Sequence, residues 1–176
     1  QKLIDLRMTV YASLFAALIS VGAFIAIPIG PVPIVLQNMF VLMAGALLGW
    51  KWGSVSVLVY LLAGAVGFPV FSAGRGGLAH ILGPTGGYLL AYIPAVMTVG
   101  MISVLFAGPD SSTRKRVIGN GIGMIAGSAL VYLIGVTWLK TVTGLAWSKA
   151  FAVGMFPFLI GDLVKIAAAA YITELI

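Results

Sequence analysis

Residues 8–50 read MTVYASLFAALISVGAFIAIPIGPVPIVLQNMFVLMAGALLGW, a run without one Asp, Glu, Lys or Arg. A helix needs about 20 apolar residues to cross the hydrocarbon of a bilayer, so this run is too long for one crossing. Ile27-Pro-Ile-Gly-Pro-Val-Pro33 divides it, because proline breaks helices and pushes the residue before it toward extended backbone. The reading is a first helix over about 8–27 and a second over about 34–50.

The same logic carries through the chain. Trp50-Lys51-Trp52-Gly53 is an interfacial turn, two indoles and a lysine at headgroup level. A third helix is expected over 53–68, followed by glycine-rich stretches at 72–77 and 83–87. A fourth runs over 86–107, with Pro94 as a candidate kink. Gly108 to Arg116 is the most polar loop. A fifth helix covers 117–139, residues 140–158 form a loop with a short interfacial helix at about 147–156, and a sixth helix covers 159–175. The expected fold is all-α, a single six-helix membrane domain over 1–176.

Composition agrees. The 176 residues are 61% hydrophobic and 8% charged, against about 25% charged in a soluble domain. The first apolar run exceeds the roughly 7–15 residues of a signal-peptide core and no Ala-x-Ala follows it, so it reads as a retained span. Without cysteine there is no disulfide, thiolate metal site or cysteine nucleophile. Ten Lys/Arg against four Asp/Glu mark cytoplasmic loops and headgroup contacts in such a chain, not nucleic-acid binding. With the N-terminus inside, Lys2, Arg7, Lys51, Arg114, Lys115 and Arg116 lie inside and Arg75, Lys140 and Lys149 outside. Both termini are therefore expected in the cytoplasm.

The last apolar run contains Asp162 and Lys165, then four alanines from Ala167 to Ala170. At i, i+3 these two share one helix face, and ionisable groups within a span read as functional by default. The carboxylate accepts N–H donors and the ammonium donates to a carbonyl or carboxylate. A cyclic urea offers both patterns on one ring. The competing reading is a structural ion pair. The Gly74–Gly87 loop offers free backbone N–H groups and Arg75. Gln37 and Asn38 are consecutive amides, and neighbours on a helix diverge by about 100°, so one of the two is expected to face a site. His80 is the single histidine, which excludes a two-histidine metal site, and a dyad with Ser72 lacks a Gly-x-Ser-x-Gly context. No Walker motif is present. Gly119, Gly123 and Gly127 on helix 5, and Ala12, Ala16 and Ser20 on helix 1, repeat every four residues. Such stripes let helices approach closely within the bundle or against a second membrane protein.

Taken together, Ile27 to Asn38, Ala44-Gly-Ala-Leu-Leu-Gly49, Gly67-Phe-Pro-Val-Phe71, Gly76-Gly77, Leu82-Gly-Pro-Thr-Gly-Gly-Tyr88 and Phe156 to Lys165 resemble one family in its own order. It is the biotin-specific substrate-binding (S) components of energy-coupling-factor transporters, the BioY family. The resemblance implies a six-helix, non-enzymatic, cofactor-free protein of the prokaryotic plasma membrane that binds biotin from outside. It further implies docking on a transmembrane coupling (T) protein driven by two cytoplasmic ATPases, and uptake by toppling of the S component in the bilayer. On this mapping Asp162 and Lys165 read the ureido ring, and Gln37 and Tyr88 lie near the pocket. Arg75, at a position where the family carries asparagine, either reaches the valerate carboxylate or lies outside the site. Ala12 and Ala16 form the docking stripe, and the Pro28–Pro33 and Gly74–Gly87 loops act as lids. The alternatives are an S component for another vitamin, an intramembrane enzyme using Asp162 or His80, and a structural subunit without a ligand.

Overall fold

The structure, a computed structural model, describes residues 2–28, 30–108 and 111–175. Ile29 of the proline loop, and Pro109 and Asp110 of the polar loop, lie outside the described residues. Helix α1 is Lys2–Phe24, strands β1 and β2 are Ala26–Ile27 and Ile34–Val35, and α2 is Gln37–Val66. A 3-10 turn at Ser72–Gly74 precedes α3 (Leu78–Ile81). Then come α4 (Gly86–Phe106), α5 (Thr113–Thr143), α6 (Trp147–Gly154) and α7 (Leu159–Leu175).

Four helices, α1, α2, α4 and α5, are long and apolar enough to cross a membrane. The α6–α7 pair, bent by 44°, makes a fifth if taken as one span. The second and third expected helices form one element, α2, broken at Gly49 (φ 71°, ψ 178°), a backbone conformation open essentially to glycine alone. The break reverses the chain. Gln37 Nε2 donates to Tyr60 Oη at 2.7 Å, 23 residues away, whereas a straight helix would separate them by about 34 Å. A Cβ on Gly53 would lie 3.0 Å from the Ala44 carbonyl oxygen. The arms 37–48 and 50–66 therefore run antiparallel, and the turn between them sits against Gly100 of α4.

Other boundaries move for local reasons. α1 ends at Phe24 rather than 27 because Ala26 and Ile27 pair antiparallel with Val35 and Ile34, making the proline segment a β-hairpin. α5 begins at Thr113 rather than 117 because the Ser112 hydroxyl accepts from the Lys115 amide, a cap that a serine supplies readily. Arg114, Lys115 and Arg116 thus occupy its first turn, not a loop. Arg116 Nε donates to Glu174 Oε1 at 2.7 Å and ties the start of α5 to the end of α7. The β-hairpin, the 67–85 segment and α6 gather at the opposite end of the bundle.

Both small-residue stripes are internal packing. Gly119, Gly123 and Gly127 all face α4, against Phe106, Val99 and Ala95. Ala12 and Ala16 are 2% and 6% exposed on the helix that packs against α2. The two residues expected to form a docking stripe are thus covered by neighbours within this chain: the small side chains let α1 close on α2. The outer face of α1 carries Leu6, Val10, Leu14 and Val21 instead. Such apolar exteriors suit hydrocarbon rather than water.

Candidate ligand-binding site

Asp162 and Lys165 meet as the one-turn spacing requires. Lys165 Nζ lies 3.0 Å from Asp162 Oδ1, with the two side chains 13% and 9% exposed. The carboxylate sits in the first turn of α7, where the helix dipole favours negative charge. Two further donors reach it. Asn38 Nδ2 donates to Oδ1 at 2.9 Å, and the Tyr132 hydroxyl donates to Oδ2. Lys165 Nζ also donates to the Val35 carbonyl at 2.8 Å and to Asn38 Oδ1 at 3.4 Å. The network joins α7, the start of α2, the middle of α5 and strand β2, so the ammonium holds the β-hairpin onto the bundle. Both charges of this pair are hydrogen-bonded to further partners as well, the condition under which buried charges are tolerated.

This network forms one wall of a cavity whose remaining surface is mostly apolar. Val41 and Leu42 of α2, Tyr88 and Tyr92 of α4, Val131 of α5 and Phe158 line it, together with Val32, Pro33 and Val35 of the hairpin. An acceptor, a cation, an amide and a phenol converge on one edge of an apolar chamber. That arrangement has the chemistry to suit a small ligand carrying adjacent N–H and C=O groups on an apolar body, and the low polarity of the chamber strengthens each hydrogen bond.

Of the expected site residues, Asp162, Lys165 and Tyr88 line the cavity. Tyr88 is pinned by its hydroxyl, which donates to the Gly154 carbonyl at 2.8 Å. Gln37 does not line it: its side chain is buried and spent on Tyr60, and the neighbouring amide, Asn38, takes the place expected for it. Arg75 is exposed and outside the lining; its carbonyl accepts from the Phe71 amide within a short turn. Val32 and Pro33 of the proline segment line the cavity, whereas the Gly74–Gly87 loop contributes no lining residue. That loop is fixed elsewhere, by the Gly77 amide on the Gly64 carbonyl and by Trp138 Nε1 on the Gly83 carbonyl. His80 stacks on Phe71 at 5.3 Å and lies 3.3 Å from the Thr85 hydroxyl. Burial first, and the Arg75 charge second, hold its imidazole below the usual range. Tyr132, Tyr92 and Ser128 are lining residues that sequence reading missed. The periodicity of α5 announces only that some of its residues face inward.

The fold and cavity define a helical multi-pass membrane protein with a ligand chamber at one end of its bundle. The chain belongs to the BioY family, whose model matches residues 1–176. A relative from Pyrococcus horikoshii, described as a probable biotin transporter BioY, is 43% identical over 92% of this chain and 91% of its own. The biotin transporter BioY of Thermotoga maritima is 38% identical over 95% and 94%. The chain also superposes on a crystal structure of the S-component for biotin from an ECF-type ABC transporter, with TM-score 0.88 and 30% identity. That match covers 99% of this chain and 92% of the other.

Proposed function

We propose that this chain is the biotin-binding S component of an energy-coupling-factor transporter, in a prokaryotic plasma membrane. The observation that carries the reading is the Asp162–Lys165–Asn38–Tyr132 edge facing an apolar chamber, in a chain so close in fold to a biotin S component. Asp162 accepts from the ureido N–H groups, and the Lys165 ammonium or the Asn38 amide donates to the ureido carbonyl. The thioether bicycle and aliphatic chain pack on Val41, Leu42, Val131 and Phe158. The protein performs no covalent chemistry on its ligand. The antiparallel arms of α2 support counting them as two crossings and the bent α6–α7 pair as one. That gives six crossings, with both termini on the side where Arg114, Lys115 and Arg116 lie. The basic-residue bias assigns this side to the cytoplasm, so the cavity opens outward.

Because no P-loop exists in this chain, energy for uptake must come from partners, for which the reading names a T component and two ATPases. In cells unable to make or import biotin, the chain coexpressed with such a module is expected to give saturable uptake of labelled biotin. Uptake should collapse when the ATPase P-loop lysines are replaced. Undiminished uptake with inactive ATPases would overturn the coupling, and absence of uptake with an assembled complex would overturn the transport role.

A further inference from the structure

A second, larger cleft of about 570 Å³ lies between α5, α6 and α7. Its walls include Ala129, Leu133 and Val136 of α5, Phe151 of α6, and Leu163 and Ile166 of α7. Leu133 and Leu163 are 67% and 59% exposed, so the cleft opens sideways, on the face turned to the membrane. Along α5 it runs from Ile125 to Thr137, a length of about 18 Å, which matches the roughly 15 Å of hydrocarbon in one leaflet. Its outer end is different in kind. Trp147 forms part of the wall and stacks on Phe151 at 6.0 Å. Lys140 Nζ lies 5.1 Å from the Trp147 ring centre. Neither ion pair among the described residues involves Lys140 or Lys149. A leaflet-deep apolar slot that ends in an indole and an available cation has the polarity profile of an anionic phospholipid.

The cleft also touches the ligand site. Tyr132, Ser128 and Asp162 line both cavities, so at this point one layer of side chains separates the chamber from the membrane. Water in the cleft would compete for the Tyr132–Asp162 hydrogen bond, whereas a hydrocarbon chain would leave it intact. The geometry points to a binding site for one acyl chain of an anionic phospholipid in the α5–α6–α7 cleft, with its phosphate at Lys140 and Trp147. The lipid completes the outer wall of the chamber.

The test uses the full chain in detergent micelles, titrated with phosphatidylglycerol or phosphatidylcholine brominated on the acyl chain, which quenches tryptophan on contact. The Trp147 contribution is obtained by difference from Trp147→Phe. Quenching by the phosphatidylglycerol probe is expected to be saturable, with a half-point about fivefold lower than for phosphatidylcholine, the preference one lysine at a membrane surface confers. Lys140→Gln should remove that preference. Ala129→Leu, at an exposed position outside the ligand chamber, should weaken quenching by both probes by partly filling the slot. Equal half-points in the unmodified chain, or an unchanged titration in Ala129→Leu, would overturn the site. An absence of Trp147 quenching together with a dimeric mass would assign the cleft to a second copy instead, and would equally overturn it.

Discussion

Asp162→Asn is expected to fold and to lose about two orders of magnitude in biotin affinity. The amide is nearly isosteric, and its oxygen can still accept from Asn38 and Lys165 in place of Oδ1. What it removes is the charge. Lys165, 13% exposed in its side chain, is left as an ammonium without its counter-ion, and stranding one member of a buried pair costs about 3–5 kcal/mol. The ligand also meets an N–H donor where it needs an acceptor. That stranding cost falls on stability, whereas losing a charge-assisted hydrogen bond to the ligand costs binding about 1.5–3 kcal/mol, and about 3 kcal/mol corresponds to a roughly hundredfold rise in Kd. A second variant separates recognition from mere ion pairing. In Asp162→Asn/Lys165→Met no charge is stranded, so thermal stability should recover toward the unmodified chain while affinity stays lost. Biotin binding retained in the folded double variant would reduce the pair to a structural role.

Gly100→Val is expected to lower Tm by about 6–12 °C. A Cβ at residue 100 would stand 2.6 Å from the Gly49 carbonyl carbon and 2.7 Å from the Trp50 Cα. These are backbone atoms of the turn that reverses α2, held in place by the unusual φ of Gly49, so no side-chain rotation relieves the overlap. Either α4 moves off the turn or the arms of α2 separate. Overpacking of this kind costs about 3 kcal/mol, and a chain of this length shifts by about 2–4 °C per kcal/mol. Gly121→Ala is the control, because its added Cβ would meet only Ala170 Cβ at 4.0 Å. Equal melting of Gly100→Val and the control in the same detergent would contradict the close crossing of α4 and α2.

Charge-free runs and prolines made the membrane class and most helices legible, because burying backbone and charge in hydrocarbon leaves a strong one-dimensional trace. Helix ends were less legible. The start of α5 depends on a single Ser112 cap inside a polar run, and the reversal of α2 depends on one glycine φ among many glycines. Asp162 and Lys165 stood out because charge is rare in an apolar span. Asn38 and Gln37 could not be told apart by type, since the choice rests on helix phase, which Tyr60 resolves by drawing Gln37 away from the cavity. Tyr132 gave no signal, because a tyrosine in a span is ordinary and its partner is 30 residues distant. Ala12 and Ala16 show the limit of pattern reading. A four-residue repeat of small side chains says that something packs closely there, not whether the neighbour belongs to the same chain.

In the proposed binding mode, the edge formed by Asp162, Lys165, Asn38 and Tyr132 recognises the ureido ring of biotin. Titration of the detergent-purified chain with biotin, followed by tryptophan fluorescence and checked by mass spectrometry of the bound species, tests it most directly. Saturable binding at one site per chain is expected, displaced by analogues that keep the ureido ring and not by analogues that lack it. No binding by a folded, monodisperse sample, or equal displacement by analogues without the ring, would contradict it.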